Sequence, residues 1–125
     1  MRKSFIIAFC LILSGCLGGN LRIYPAKSMM VDGNICVFID KGFLVENGEI
    51  RKIEITKYSD EGSIYEKYFI PTVPLQDGKC ITGLNTYNFV PGSAYSVSIN
   101  LHRHSYLARF IVWKDGDRLM VTDRY

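Results

Sequence analysis

The chain has 125 residues, of which 48% are hydrophobic, 22% charged and 13% aromatic. That fits one small globular domain with an ordinary core; it excludes a large multidomain enzyme, a coiled coil, a polytopic membrane protein and a disordered chain. The formal charge is only +3, from 15 Lys+Arg against 12 Asp+Glu, so the basic balance is no argument for a nucleic-acid partner.

The N-terminus reads Met1-Arg2-Lys3-Ser4, then an apolar run from Phe5, then Leu13-Ser14-Gly15-Cys16. A basic start, a short apolar core and small residues before a cut are the features of a secretory signal. From Phe5 to Leu17 the run is about 13 residues, or roughly 20 Å as a helix, too short for a bilayer core of about 30 Å. Leu-Ser-Gly-Cys resembles the lipobox of bacterial lipoproteins. The resemblance implies that residues 1–15 are removed and that Cys16 carries lipid on its thiol and new amino terminus. The competing reading is an ordinary signal peptide with an incidental cysteine. Loss of Arg2 and Lys3 leaves 13 basic residues against 12 acidic, a net of +1. Leu17 stands where an Asp would mark inner-membrane retention in Gram-negative lipoproteins. The expected location is therefore the outer membrane, lipid-anchored and facing the periplasm, with residues 16–24 as a lipidated tether.

Four cysteines are present: Cys10, Cys16, Cys36 and Cys80. Cys10 leaves with the signal and Cys16 is taken by lipid. One pair remains in an exported, oxidising compartment, which predicts a Cys36–Cys80 disulfide linking an early and a middle strand. A pair of buried free thiols is the alternative. Zinc is not expected, because two isolated cysteines with no CxxC and no nearby His do not make a ligand set.

In chain order the rest reads as short apolar runs between turn signals, with Pro25 marking the start of a folded domain over 25–125. Ser28 to Val31 predicts a first strand, closed by Asp32-Gly33-Asn34. Ile35 to Ile39 predicts a second, broken by Asp40-Lys41-Gly42. Glu49 to Tyr58 alternates, with Ile53 and Ile55 on one face and Lys52, Glu54 and Thr56 on the other. Ser59-Asp60-Glu61-Gly62 reads as a hairpin turn, followed by Ile64 to Ile70. Pro71 and Pro74 bar continued ladder pairing, so this strand is expected at an edge or at a crossing between sheets. Gln76-Asp77-Gly78 turns into a segment Lys79-Cys80-Ile81. Ala94 to Leu101 and Ala108 to Trp113 alternate again, and Asp115-Gly116-Asp117 turns into Leu119 to Thr122. The spacing predicts an all-β sandwich of about seven strands.

Phe89-Val90-Pro91-Gly92-Ser93-Ala94-Tyr95-Ser96-Val97 resembles the corner sequence of fibronectin type III domains. The resemblance implies an immunoglobulin- or fibronectin-III-like fold. Pro91 and Gly92 would turn the chain, and the Tyr95 hydroxyl would bond backbone a few residues upstream.

Chemistry is sparse. His102 and His104 are the only histidines, two apart in a strand-like run, and are expected to share a face. No GxSxG elbow, phosphate loop or HExxH is present, and carboxylate pairs such as Asp60-Glu61 sit in predicted turns. No catalytic residue, metal or cofactor is predicted, and the protein is expected not to be an enzyme. The candidate partner-binding residues are Tyr58, Tyr65, Tyr68, His102 and His104, which put aromatics beside charge. The competing role for the tyrosines is to fill the core.

The lipobox, Asn34-Ile35-Cys36-Val37, Lys79-Cys80-Ile81, the Pro91-Gly92-x-x-Tyr95 corner, Phe110-Ile111-Val112-Trp113 and Gly116 to Thr122 combine over nearly the whole mature chain. Together they resemble a group of small enterobacterial lipoproteins described as type VI secretion immunity proteins of the periplasm. The resemblance implies a monomer that binds the bilayer through acylated Cys16 and neutralises a protein toxin. The alternative is a structural or adaptor lipoprotein of an envelope complex.

Overall fold

The computed structural model describes residues 22–58, 64–84 and 86–124. The signal, Cys16 and the turn over 59–62 lie outside the described residues.

Eight strands and one short 3₁₀ turn, Lys41–Phe43, make up the described fold: β1 Arg22–Pro25, β2 Lys27–Val31, β3 Asn34–Phe38, β4 Glu49–Lys57, β5 Ile64–Pro74, β6 Ala94–Asn100, β7 His104–Asp115 and β8 Arg118–Asp123. The larger sheet runs β1-β7-β6-β4-β5, and the second half of β7 also pairs with β8. The smaller sheet is the β2-β3 hairpin. Its loop is Asp32-Gly33, both at positive φ (51° and 80°), which matches the twist of a two-residue hairpin. Within the larger sheet, β5-β4-β6-β7 has the order of the sheet built on strands C, F and G of immunoglobulin-like sandwiches, with β6 in the place of F. The fold is an all-β sandwich of this type.

Period-2 alternation decides which side chains meet. Ile53 and Ile55 of β4, Tyr95, Val97 and Ile99 of β6, and Tyr106, Ala108, Phe110 and Val112 of β7 are all buried on one face. They pack against Val37 and Ile39 from the hairpin side and against Ile81, Leu84 and Phe89 from the long connection before β6.

The Tyr95 corner forms. Gly92 has φ +89°, Tyr95 is fully buried, and its hydroxyl accepts a hydrogen bond from the Val90 N–H at 2.8 Å. The disulfide also forms, joining Cys36 in β3 to Cys80 with Cα atoms 5.0 Å apart.

Four expectations need correction. Among the described residues strand structure is already present at Arg22, ahead of Pro25: residues 22–24 of the expected tether pair in parallel with the start of β7 as β1. Lys79-Cys80-Ile81 is coil, not strand, and is held to β3 by the disulfide and by Ile81 N–H donating to Val37 O at 2.8 Å. β5 does not stop at the prolines. It is an edge strand, as expected, and its ladder breaks where Phe69 to Thr72 stand opposite Arg51 alone; pairing resumes at Val73 and Pro74 after a cis Ile70-Pro71 bond. Finally, β7 starts ahead of Ala108, at His104.

Candidate functional site: the outer face of the large sheet

The side chains that alternate away from the core form the outer face of β5-β4-β6-β7. A row of polar groups crosses all four strands at the level of Lys52. Residue pairing sets it up: Lys52 stands opposite Tyr68 on one side and Asn100 on the other, and Asn100 stands opposite Ser105. The Ser105 hydroxyl donates to Asn100 Oδ1 at 2.8 Å, and Ser98 Oγ donates to the same oxygen at 3.1 Å. Asn100 Nδ2 donates to Glu54 Oε1 at 3.4 Å. Lys52 Nζ pairs with Glu54 at 2.5 Å, lies 3.9 Å from Glu66 and sits 5.2 Å from the centre of the Tyr68 ring. The side chains of Lys52 and Glu54 are about three-quarters covered by their neighbours, and Ser105 is buried. The hydrogen bond to Glu54 is the main cause that raises the Lys52 pKa above its ordinary 10.5, so the ammonium is fixed in place as a charge.

Beside this row the β5 bulge opens a groove of about 560 Å³, lined by Lys52, Tyr68, Ile70, Pro71 and Asn100 among others. Tyr68 is 62% exposed and Ile70 93% exposed, so apolar surface borders the polar row directly. At the far end of the face Trp113 is partly exposed and its indole N–H donates to Thr122 Oγ1 at 2.9 Å. A pre-bonded polar row, an ion pair at its centre and exposed aromatics suit recognition of another macromolecule.

The five sequence-derived binding candidates do not form one patch. Tyr68 belongs to the outer face. Tyr65 has the opposite parity and turns inward, 5.3 Å from Tyr87 and 3.4 Å from Thr86 Oγ1. Tyr58 is exposed but lies six positions along β4 from Lys52, about 20 Å away at strand rise. His102 and His104 line one hollow at the β6–β7 turn but meet different neighbours. His102 is exposed in that turn, where its Nδ1 accepts from Arg51 at 3.3 Å. His104 opens β7 and stacks on Tyr24 at 5.8 Å. Among the described residues no group of three His, Cys, Asp or Glu could hold a metal ion, and no helix is long and apolar enough to cross a membrane.

Sequence reasoning missed Lys52, Glu54, Asn100 and Ser105. The alternation of β4 placed Lys52 and Glu54 on a wet face, but their partners on β6 and β7 depend on register.

Comparison with known proteins identifies one family. The profile of a domain of unknown function, DUF7480, matches residues 23–115, from β1 to the end of β7, and the chain belongs to this family. Neither curated proteins nor solved structures gave a match.

Proposed function

We propose that this member of the DUF7480 family works by binding a protein, as an immunity lipoprotein that covers a toxin delivered into the periplasm by type VI secretion. Acylated Cys16 holds it at the periplasmic face of the outer membrane. Several acyl chains at about 0.8 kcal/mol per buried methylene make such an anchor effectively permanent. The resemblance of the mature chain to immunity lipoproteins supplies the partner class.

The observation that carries the binding role is the outer-face row from Ser105 through Asn100 and Glu54 to Lys52 and Tyr68. Its side chains are bonded to each other before any partner arrives, so binding requires little further ordering. The adjacent groove and the exposed Tyr68 offer the aromatic anchor that interface centres favour. An interface of about 1,600 Å² in total is ordinary for such a complex. Anchoring raises the local concentration without adding contacts.

The test is protection. Toxins encoded beside the gene are expressed in the periplasm with and without the full chain, and survival is scored. Rescue from one of them supports the reading. Unchanged killing by all of them overturns it in favour of an adaptor in an envelope complex.

A further inference from the structure

We infer that the β6–β7 end of the sandwich seats on an anionic phospholipid surface, so that the large sheet stands up from the membrane with the Trp113 end of its outer face away from the bilayer. This rests on the reading of Cys16 as lipidated.

The geometry starts from β1. Arg22 pairs with His104, and its N–H donates to Arg103 O at 3.3 Å, so the first described residue lies beside the β6–β7 turn. Six residue steps separate Cys16 from Arg22, a reach of no more than about 20 Å. Whatever path that segment takes, a lipid on Cys16 keeps this end of the sandwich within that distance of the bilayer. Trp113 lies nine positions further along β7, about 30 Å away at strand rise.

The surface at this end has the chemistry of a membrane interface. Three exposed apolar side chains surround it: Ile23 at 63%, Phe43 at 42% and Ile70 at 93% exposure. Ile23 follows Arg22 directly, Phe43 packs near Tyr24 with ring centres 6.3 Å apart, and Ile70 lines the groove that ends at Asn100 and Leu101. Arg22, Arg51 and Arg103 are exposed among them, and Arg51 and Arg103 line a common hollow with Glu46 and Glu49. The hollow itself is balanced, two guanidiniums against two carboxylates, and Arg22 adds one further cation beside it. Apolar tips reaching the acyl boundary, with guanidinium groups at the level of lipid phosphates, are the two components of interfacial binding. The strands run away from the bilayer: Ile23, opposite Ser105, and Ile70, beside Lys52, place the polar row at the membrane-proximal edge, and the outer face beyond it stays open toward Trp113.

The experiment uses the full-length lipidated protein in vesicles of phosphatidylethanolamine and phosphatidylglycerol with brominated acyl chains, which quench nearby tryptophan. In the unaltered chain Trp113 should be unquenched. In Trp113→Phe with Ile23→Trp, and separately with Ile70→Trp, emission should fall at least twofold. Adding Arg22→Glu and Arg103→Glu should restore emission while the protein still sediments with the vesicles through its lipid. Equal quenching at positions 23, 70 and 113 would overturn the seating, as would quenching at 23 and 70 that ignores the charge reversal. Sedimentation separates the two claims. Protein that sediments but shows no positional quenching refutes the seating alone. Unaltered protein that fails to sediment, like Cys16→Ser, refutes the anchor and the seating with it.

Discussion

Ile81 donates its N–H to the carbonyl of Val37 at 2.8 Å, one residue beyond the point where Cys80 is bonded to Cys36. A segment without strand geometry is thereby pinned to β3, in the place where a sandwich of this kind has another strand. Gly78 N–H to Ile39 O, at 3.3 Å, adds a second link along the same edge. A few backbone bonds give this connection little hold of its own, and Ile81 and Leu84 must stay in the core with it.

The disulfide should therefore matter more than its position in a loop suggests. It closes a loop with a sequence separation of 44, which chain entropy values at roughly 4 kcal/mol. That is a large part of the ordinary stability of a small domain, about 5–15 kcal/mol. Urea titration of oxidised against reduced protein should show a loss of this size. Equal midpoints, or free thiols at both positions in protein from the periplasm, would refute it.

Tyr95→Phe should destabilise by about 1–3 kcal/mol, because it leaves the part-buried Val90 N–H without its acceptor. The ring itself is retained, so its edge-to-face contact with Phe89 at 5.0 Å survives and the loss reports the hydroxyl. A melting temperature equal to that of the unaltered protein would show that water replaces the bond.

Tyr106 supplies a pH signature. It is fully buried, donates its hydroxyl to Phe43 O at 2.6 Å and accepts from Val45 N–H at 3.2 Å. Burial is the main cause that raises its pKa above the ordinary tyrosine value of 10.0. The folded state then holds the proton more tightly than the unfolded chain does. The resulting stability is fully present below pH 10 and is lost as pH rises through the folded value. Denaturation midpoints followed into alkali should stay level and then fall. Phenolate absorbance should appear together with unfolding for one tyrosine. Lys27 and Lys52, kept charged mainly by Asp40 and Glu54, contribute in the same direction from more open positions. Tyr106→Phe should weaken the alkaline fall; an identical profile would assign all of it to the lysines.

What could be read from the chain divides along physical lines. Asp32-Gly33 and the β4 alternation are local signals, and both elements form where they predict. The Tyr95 corner is local too, since donor and acceptor are five residues apart. The disulfide followed from elimination rather than from geometry. β1 escaped because four residues are too few to show a period, and its ladder partner is about eighty residues away. The segment around Cys80 carries a strand-like pattern, but a covalent bond holds it where a ladder was expected. Tyr65 and Tyr68 look alike in sequence. An odd separation sends one to the core and the other to solvent, and pairing to β4 decides which.

The outer-face row gives the last prediction. Lys52 sits over the Tyr68 ring and pairs with Glu54 and, at longer range, Glu66, and neither Lys52 nor Tyr68 lies in the core. Replacing both by Ala removes the charged centre and the exposed ring together, while β4 and β5 keep their ladder. Ion pairs of this partly exposed kind contribute about 0–1 kcal/mol, so the melting temperature should change little. If the face binds a partner, the same double variant should weaken binding at least tenfold, about 1.4 kcal/mol, because aromatic and charged residues at an interface centre dominate affinity. Lys114→Ala, on an exposed position near the β7–β8 turn, serves as a control that should leave binding unchanged. Survival of cells expressing the toxin is the readout, with the amount of each variant in the membrane fraction held equal. Full protection by the double variant would move the binding surface off this face.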